Sequence, residues 1–277
     1  MLDQRRRDGR RNRIRPSAGW LPRQHGAWFM LALPVVVGWI VRVRDGAPAA
    51  PQLVPVVACW IAGYLAFNAA IGWLKAPVRR RPATLRPLLA YSLLTIACGA
   101  ISLAMAGPAL LAWLVPFALL VAAALLLAAT RRERSLASGA LTVAAASLMV
   151  LVTRFITADE LLRHLGTPAG TTALVHTGLV FGYLFGTVLH VKGMIRERGR
   201  RGWVALSVGW HLALTAATGL AAALGTLAPG WVVLFALTAA RAWLLPAVAG
   251  RRPVRPLVVG LVEIGLTTAF VVVTALG

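Results

Sequence analysis

The chain has 277 residues, of which 59% are hydrophobic and only 13% charged. A soluble domain carries roughly 45–50% apolar residues and about 25% charge, and its core grows only with its volume, so most of this apolar surface has to face lipid. That excludes a soluble nucleic-acid binder despite the net charge of +21, because the basic residues sit in short clusters between long apolar runs, the pattern that membrane topology produces.

The first 24 residues hold Arg5, Arg6, Arg7, Arg10, Arg11, Arg13, Arg15 and Arg23 among Gly9, Asn12 and Pro16. The apolar run that follows shows no small-residue cleavage site and leads into further spans, so 1–24 reads as a retained basic cytoplasmic tail and 25–277 as the transmembrane domain. A bilayer core of about 30 Å takes roughly 20 apolar residues in a helix. The runs are too long for barrel strands, and helices satisfy their own backbone hydrogen bonds in lipid. The expected fold is therefore an all-α polytopic bundle of about nine spans: 27–43, 52–74, 85–106, 108–128, 135–153, 171–194, 203–225, 228–248 and 255–276. Gly107 and Pro108 supply the only break between the third and fourth. Cys59 and Cys98 fall inside apolar runs with no CxxC or Cys/His metal spacing, and read as inert buried thiols.

With the N-terminus inside, alternate loops collect the cations. Lys75, Arg79, Arg80, Arg81 and Arg86 follow span 2; Arg131, Arg132 and Arg134 follow span 4. Lys192, Arg196, Arg198, Arg200 and Arg201 follow span 6, and Arg251, Arg252 and Arg255 follow span 8. With the tail, 24 of 29 Lys and Arg lie on one side, against Arg42, Arg44, Arg154 and Arg163 on the other. This asymmetry predicts a bacterial inner-membrane protein with a cytoplasmic N-terminus and an extracytoplasmic C-terminus. The loop 154–170, with Asp159, Glu160, Arg163 and His164, reads as a short interfacial helix and carries no catalytic constellation.

Ionisable groups inside spans are costly and default to a functional reading. Arg241 in span 8 and Glu263 in span 9 lie at comparable depths on antiparallel spans, so they could pair; a structural ion pair and a polar cavity lining are the two readings. His25, Asn68 and His190 sit at the same basic level as Lys192 and Arg196, which share a helix face at i,i+4. The bland reading is that most of these cations only set topology, with snorkelling stems. Neutral His25, Asn68 and His190 are harder to explain that way. His176 and His211 read as isolated span histidines making helix–helix hydrogen bonds. Trp28, Trp73 and Trp203 lie near span ends, as an aromatic belt requires.

The run Pro22-Arg23-Gln24-His25-Gly26-Ala27-Trp28, entering a span with Pro34 and Gly38, resembles the YwiC-like family of bacterial membrane proteins. The segment from Gly186 to Arg198, with Val191-Lys192 and Arg196-Glu197-Arg198, is similar to that family's second characteristic stretch. The layout of spans 2 and 6 more distantly resembles the UbiA superfamily of prenyltransferases. That resemblance implies nine spans and a cytoplasm-facing site where Asp-rich motifs hold Mg²⁺ against a prenyl diphosphate. Here Asn68 stands where an Asn-Asp pair would begin, and span 6 offers Lys and Arg in place of carboxylates. Mg²⁺ needs hard oxygen ligands, so neither a metal nor another cofactor is expected and enzyme activity is not the favoured reading.

What such a basic lining suits is an anionic ligand bound directly by Lys and Arg. The expected function is binding of an anionic or isoprenoid lipid in a cytoplasm-facing cavity between spans 2 and 6. Candidate cavity residues are His25, Asn68, His190, Lys192, Arg196, Arg241 and Glu263; candidate anion ligands are Arg79, Arg80, Arg81, Lys192, Arg196 and Arg198. A small-solute transporter and a divergent prenyltransferase are the alternatives.

Overall fold

The computed structural model describes residues 20, 27–132, 134–251 and 256–277. The basic tail with His25, and Arg252 and Arg255 of the last basic loop, lie outside the described residues. Among the described residues there are ten α-helices and no strands: α1 (Ala27–Arg44), α2 (Leu53–Lys75), α3 (Arg81–Ala106), α4 (Leu114–Ala129), α5 (Leu136–Phe155), α6 (Ala158–His164), α7 (Pro168–Ile195), α8 (Arg201–Ala223), α9 (Pro229–Arg251) and α10 (Pro256–Leu276). Thus α1–α5 are spans 1–5, α7–α10 are spans 6–9, and α6 is the short helix expected in the loop 154–170.

Eight of these helices are long and apolar enough to cross a bilayer, taking the 3₁₀ turn Pro108–Trp113 together with α4. The remaining predicted span is α1, with 18 residues, or about 27 Å at 1.5 Å per residue. It is flanked by protein on several sides, packing on α5, α7 and α10. Close approach to α5 depends on Gly38, where a Cβ would come within 2.5 Å of the Val150 carbonyl oxygen and 2.8 Å of Thr153 Cβ.

Local chemistry sets the helix ends. Ser135 accepts from Ser138 N at 3.1 Å to cap α5, and Thr167 accepts from Gly170 N at 3.3 Å to cap α7, where Pro168 takes the first-turn position. The break between spans 3 and 4 is Gly107 at φ 82°, ψ 174°, a conformation open essentially to glycine alone.

α5 and α7 are the most enclosed spans, while α3 is almost bare. The main core joins Leu33, Val37 and Val41 of α1 to Val143 and Val150 of α5, Tyr183 and Leu184 of α7, Trp231 and Phe235 of α9, and Phe270 of α10. A second core gathers Val56, Trp113, Met149, Phe155 and Ala173. Outside this centre, α2 packs chiefly on α3 and secondarily on α4, and α8 packs chiefly on α9. The exposed leucines of α3 and α4, such as Leu93, Leu119 and Leu126, are what a lipid-facing surface needs.

Candidate functional site

Four of the last helices bring polar side chains together inside the bundle. Arg241 of α9 forms an ion pair through Nη1 with Glu263 Oε1 of α10. Its Nη2 donates to His211 Nε2 of α8 at 2.8 Å. Thr187 of α7 donates to the other carboxylate oxygen at 3.2 Å. A guanidinium has only donors, so His211 Nε2 is the acceptor; the imidazole proton is then on Nδ1, which donates to the Ser207 carbonyl at 2.6 Å. Thr267 donates to the Glu263 carbonyl at 2.8 Å and accepts from the Tyr183 hydroxyl at 2.9 Å. At 1.5 Å per residue the cluster lies about 10–15 Å inside the basic end of α9 and α10.

Glycines on α7 make the approach feasible. Gly178, Gly182 and Gly186 recur every fourth residue, the small-residue pattern of close helix contacts in membranes. A Cβ at Gly182 would meet Leu214 Cδ2 at 2.8 Å, and one at Gly186 would meet His211 Nε2 at 2.7 Å. Trp210 donates to the Gly182 carbonyl at 2.9 Å, fixing the same register.

A groove of about 600 Å³ lies outside this cluster, at the basic ends of α7, α8 and α9. Its walls are apolar, with Met194, Val204, Val208, Trp243 and Ala247, and its mouth carries Arg198 and Arg201. Arg198 donates to the Ala249 carbonyl at 3.3 Å, spanning the gap from the end of α7 to α9.

The opposite end of the bundle holds its own charges in tight local bonds. Arg42 donates to the carbonyls of Arg154 at 2.6 Å and Pro48 at 2.8 Å. Arg154 pairs with Asp45 at 2.6 Å and reaches Glu160 at 3.9 Å. Arg44 donates to the Thr274 carbonyl at 2.7 Å, and Arg163 pairs with Asp159 at 3.1 Å. Burial holds the Glu160 carboxyl above its ordinary range although Arg42 and Arg154 pull it down. Asp159 is held low, first by a backbone hydrogen bond and then by Arg163.

The expected site divides into three groups. Arg241 and Glu263 do meet, and His190 lies within electrostatic reach of Arg241 and His211. Asn68 is half-buried on α2, whose main partners are α3 and α4, and shares none of the cluster's contacts. The basic groove is lined from α7, α8 and α9 and not from α2, and α2 packs on α3 and α4 rather than on α7. The reason is topological: α2 belongs to the α2–α3–α4 layer, while α7 stands between α5 and α8. Lys192 and Arg196 part company because α7 ends at Ile195. Lys192 turns inward over the Trp203 ring, 4.6 Å from its centre, and donates to the Arg134 carbonyl at 2.8 Å, whereas Arg196 is exposed. Arg79 is exposed, and Arg81 lies 5.2 Å over the Trp73 ring. His211 makes the helix–helix hydrogen bond expected of it, to Arg241, whereas His176 bonds within its own helix to the Thr172 carbonyl at 2.8 Å; Ser207 is the residue that the sequence did not single out, and the glycine repeat of α7 is the signal that could have marked its facing helix.

This is a multi-pass helical membrane protein with a buried Arg–Glu–His cluster near its basic end. Over residues 21–154, just under half of the chain, the sequence matches the family model described as YwiC-like protein. That stretch contains His25, Asn68 and Arg79–Arg81, while Gly186–Arg198 and the whole buried cluster lie beyond it. No curated protein and no solved structure matches the chain.

Proposed function

We propose that the protein binds a lipid with an anionic, phosphate-bearing head in the groove at the basic ends of α7, α8 and α9. One observation supports this most directly: the groove pairs an apolar wall, with Trp243, Val204 and Val208, with Arg198 and Arg201 at its mouth. An arginine fork matches phosphate oxygens with two donors, and the apolar wall takes the tail that follows the head into the bilayer. Gly193, Gly199 and Gly250 keep the rim low. In this reading the basic end faces the cytoplasm of a bacterial cell, where anionic lipid heads and soluble phosphates are both at hand.

The reading is tested by the lipid that accompanies the purified protein. Native mass spectrometry of the wild type should show retained phospholipid or isoprenoid phosphate. The double variant Arg198→Gln/Arg201→Gln should lose most of it, while Arg79→Gln/Arg81→Gln, on another loop, keeps it. Equal lipid content in the wild type and the Arg198/Arg201 variant overturns the proposal.

A further inference from the structure

The polar groups of the spans mostly satisfy themselves. Ser102, Ser147, Thr153, Thr218 and Thr274 each donate to the carbonyl four residues earlier. His176 and His211 use Nδ1 in the same way. Besides His176, whose Nε2 is also buried without a partner, two residues depart from this habit. His190 Nε2 and Ser207 Oγ are buried with no hydrogen-bond partner, in residues only 1% and 3% exposed.

These two face each other. α7 and α8 run antiparallel, with Gly182 against Leu214, Gly186 against His211 and Gly193 against Trp203. At that register His190 stands opposite Ser207, one turn nearer the basic end than the His211–Arg241 contact. Arg241 adds a third unpartnered atom. With Nη1 on Glu263 and Nη2 on His211, its Nε–H is buried and free, in a residue 5% exposed. An unpaired buried polar atom costs about 1–3 kcal/mol, so three of them on the adjoining α7, α8 and α9, within about one helical turn of one another, ask for a partner.

We propose that His190, Ser207 and Arg241 form a buried site for a small monoanion of halide size, which enters together with one proton. Arg241 Nε–H can only donate, the Ser207 hydroxyl is free to donate, and His190 Nε2 donates once protonated. Charge supplies the coupling. Arg241 is already balanced by Glu263, and His211 is fixed as a neutral acceptor, so an anion alone would bring uncompensated charge into a low-dielectric interior. A proton on His190 restores neutrality and adds the third donor. The charged or titratable groups facing His190 are Arg241 on α9, Glu263 behind it on α10 and His211 on α8; Lys192 on its own helix is turned to Trp203 and the Arg134 carbonyl. α1, α5 and α6 bring their described charges only at the opposite end of the bundle.

The test is equilibrium binding of radioactive chloride to the purified full chain in detergent, with gluconate holding ionic strength constant. One saturable site is expected, with an affinity that rises up to about a hundredfold from pH 7.5 to pH 5.5 at one proton per anion. His190→Gln keeps an N–H donor but takes no proton, so its chloride affinity should be the same at both pH values. Ser207→Ala should weaken binding at each pH; gel filtration and thermal melting check that both variants fold. No saturable chloride at either pH, as for a site that holds water only, overturns the proposal. So does equal wild-type affinity at the two pH values, or a pH slope that survives in His190→Gln.

Discussion

Gly186 of α7 lies directly beneath the His211 ring of α8, so close that a methyl group on its Cα would sit 2.7 Å from Nε2. The histidine that accepts from Arg241 is therefore in place because the facing helix has no side chain there. Gly186→Ala should push His211 off Arg241 or part the two helices, at a cost of about 1–3 kcal/mol for overpacking. Unfolding by titrated SDS in mixed micelles should show the lowered midpoint. Gly178→Ala, where a Cβ meets nothing within 4 Å, should leave it unchanged.

The Arg241–Glu263 pair predicts a non-additive pattern. Glu263→Gln or Arg241→Gln alone strands one buried charge and should cost about 3–5 kcal/mol. The double variant removes both charges and should recover a large part of that loss in the same unfolding assay. Additive losses would show that each group is stabilised by something other than its partner.

At the other end, Asp45 and Glu160 both approach Arg154, with opposite consequences. Asp45→Asn removes the 2.6 Å contact to Arg154 and should destabilise the protein at neutral pH. Glu160 differs, because burial raises its folded pKa above the unfolded one. The folded state then holds that proton more tightly, so its stability contribution is full below the ordinary glutamate range and is lost as pH rises through the folded value. Glu160→Gln should therefore be neutral or slightly stabilising at pH 7, with the difference from wild type vanishing in acid. Melting temperatures from pH 4 to pH 8 would show a flatter profile in the variant.

Orientation is open to direct measurement. In a background lacking Cys59 and Cys98, a cysteine at Ala49 should react with a membrane-impermeant maleimide in intact cells. One at Thr130, exposed at the basic end, should react only after the membrane is opened. The reverse labelling would invert the predicted topology.

The spans were legible because length, apolarity and basic punctuation act along the chain; α3 ends just before Gly107 as expected, and α5 starts after Ser135, while Pro168 starts α7 three residues before the expected 171. Arg241 and Glu263 were legible for the same reason, lying at matched depth on consecutive antiparallel spans. Asn68 and His190 were not separable from sequence. Depth can be counted residue by residue, but which helix stands beside which is decided by side-chain fit in the plane of the membrane. The pairing of spans 2 and 6 came from a distant resemblance, and the packing of α2 on α3 and α4 replaces it. A helix–helix bond was legible for His211, but its partner Arg241, 30 residues away on another span, was not.

The four arginines at the sparsely basic end carry a consequence for the molecule as an electrical object. Arg42 and Arg44 bind carbonyls, while Arg154 and Arg163 are held by carboxylates. Two of the four cations there are neutralised in place and the other two are clamped to the backbone. The field across the protein is thus steeper than a bare count of arginines implies. A bilayer with its negative side toward the basic end would hold this chain as an aligned dipole, and inverting it would require breaking those local bonds as well as moving the exposed cations through lipid.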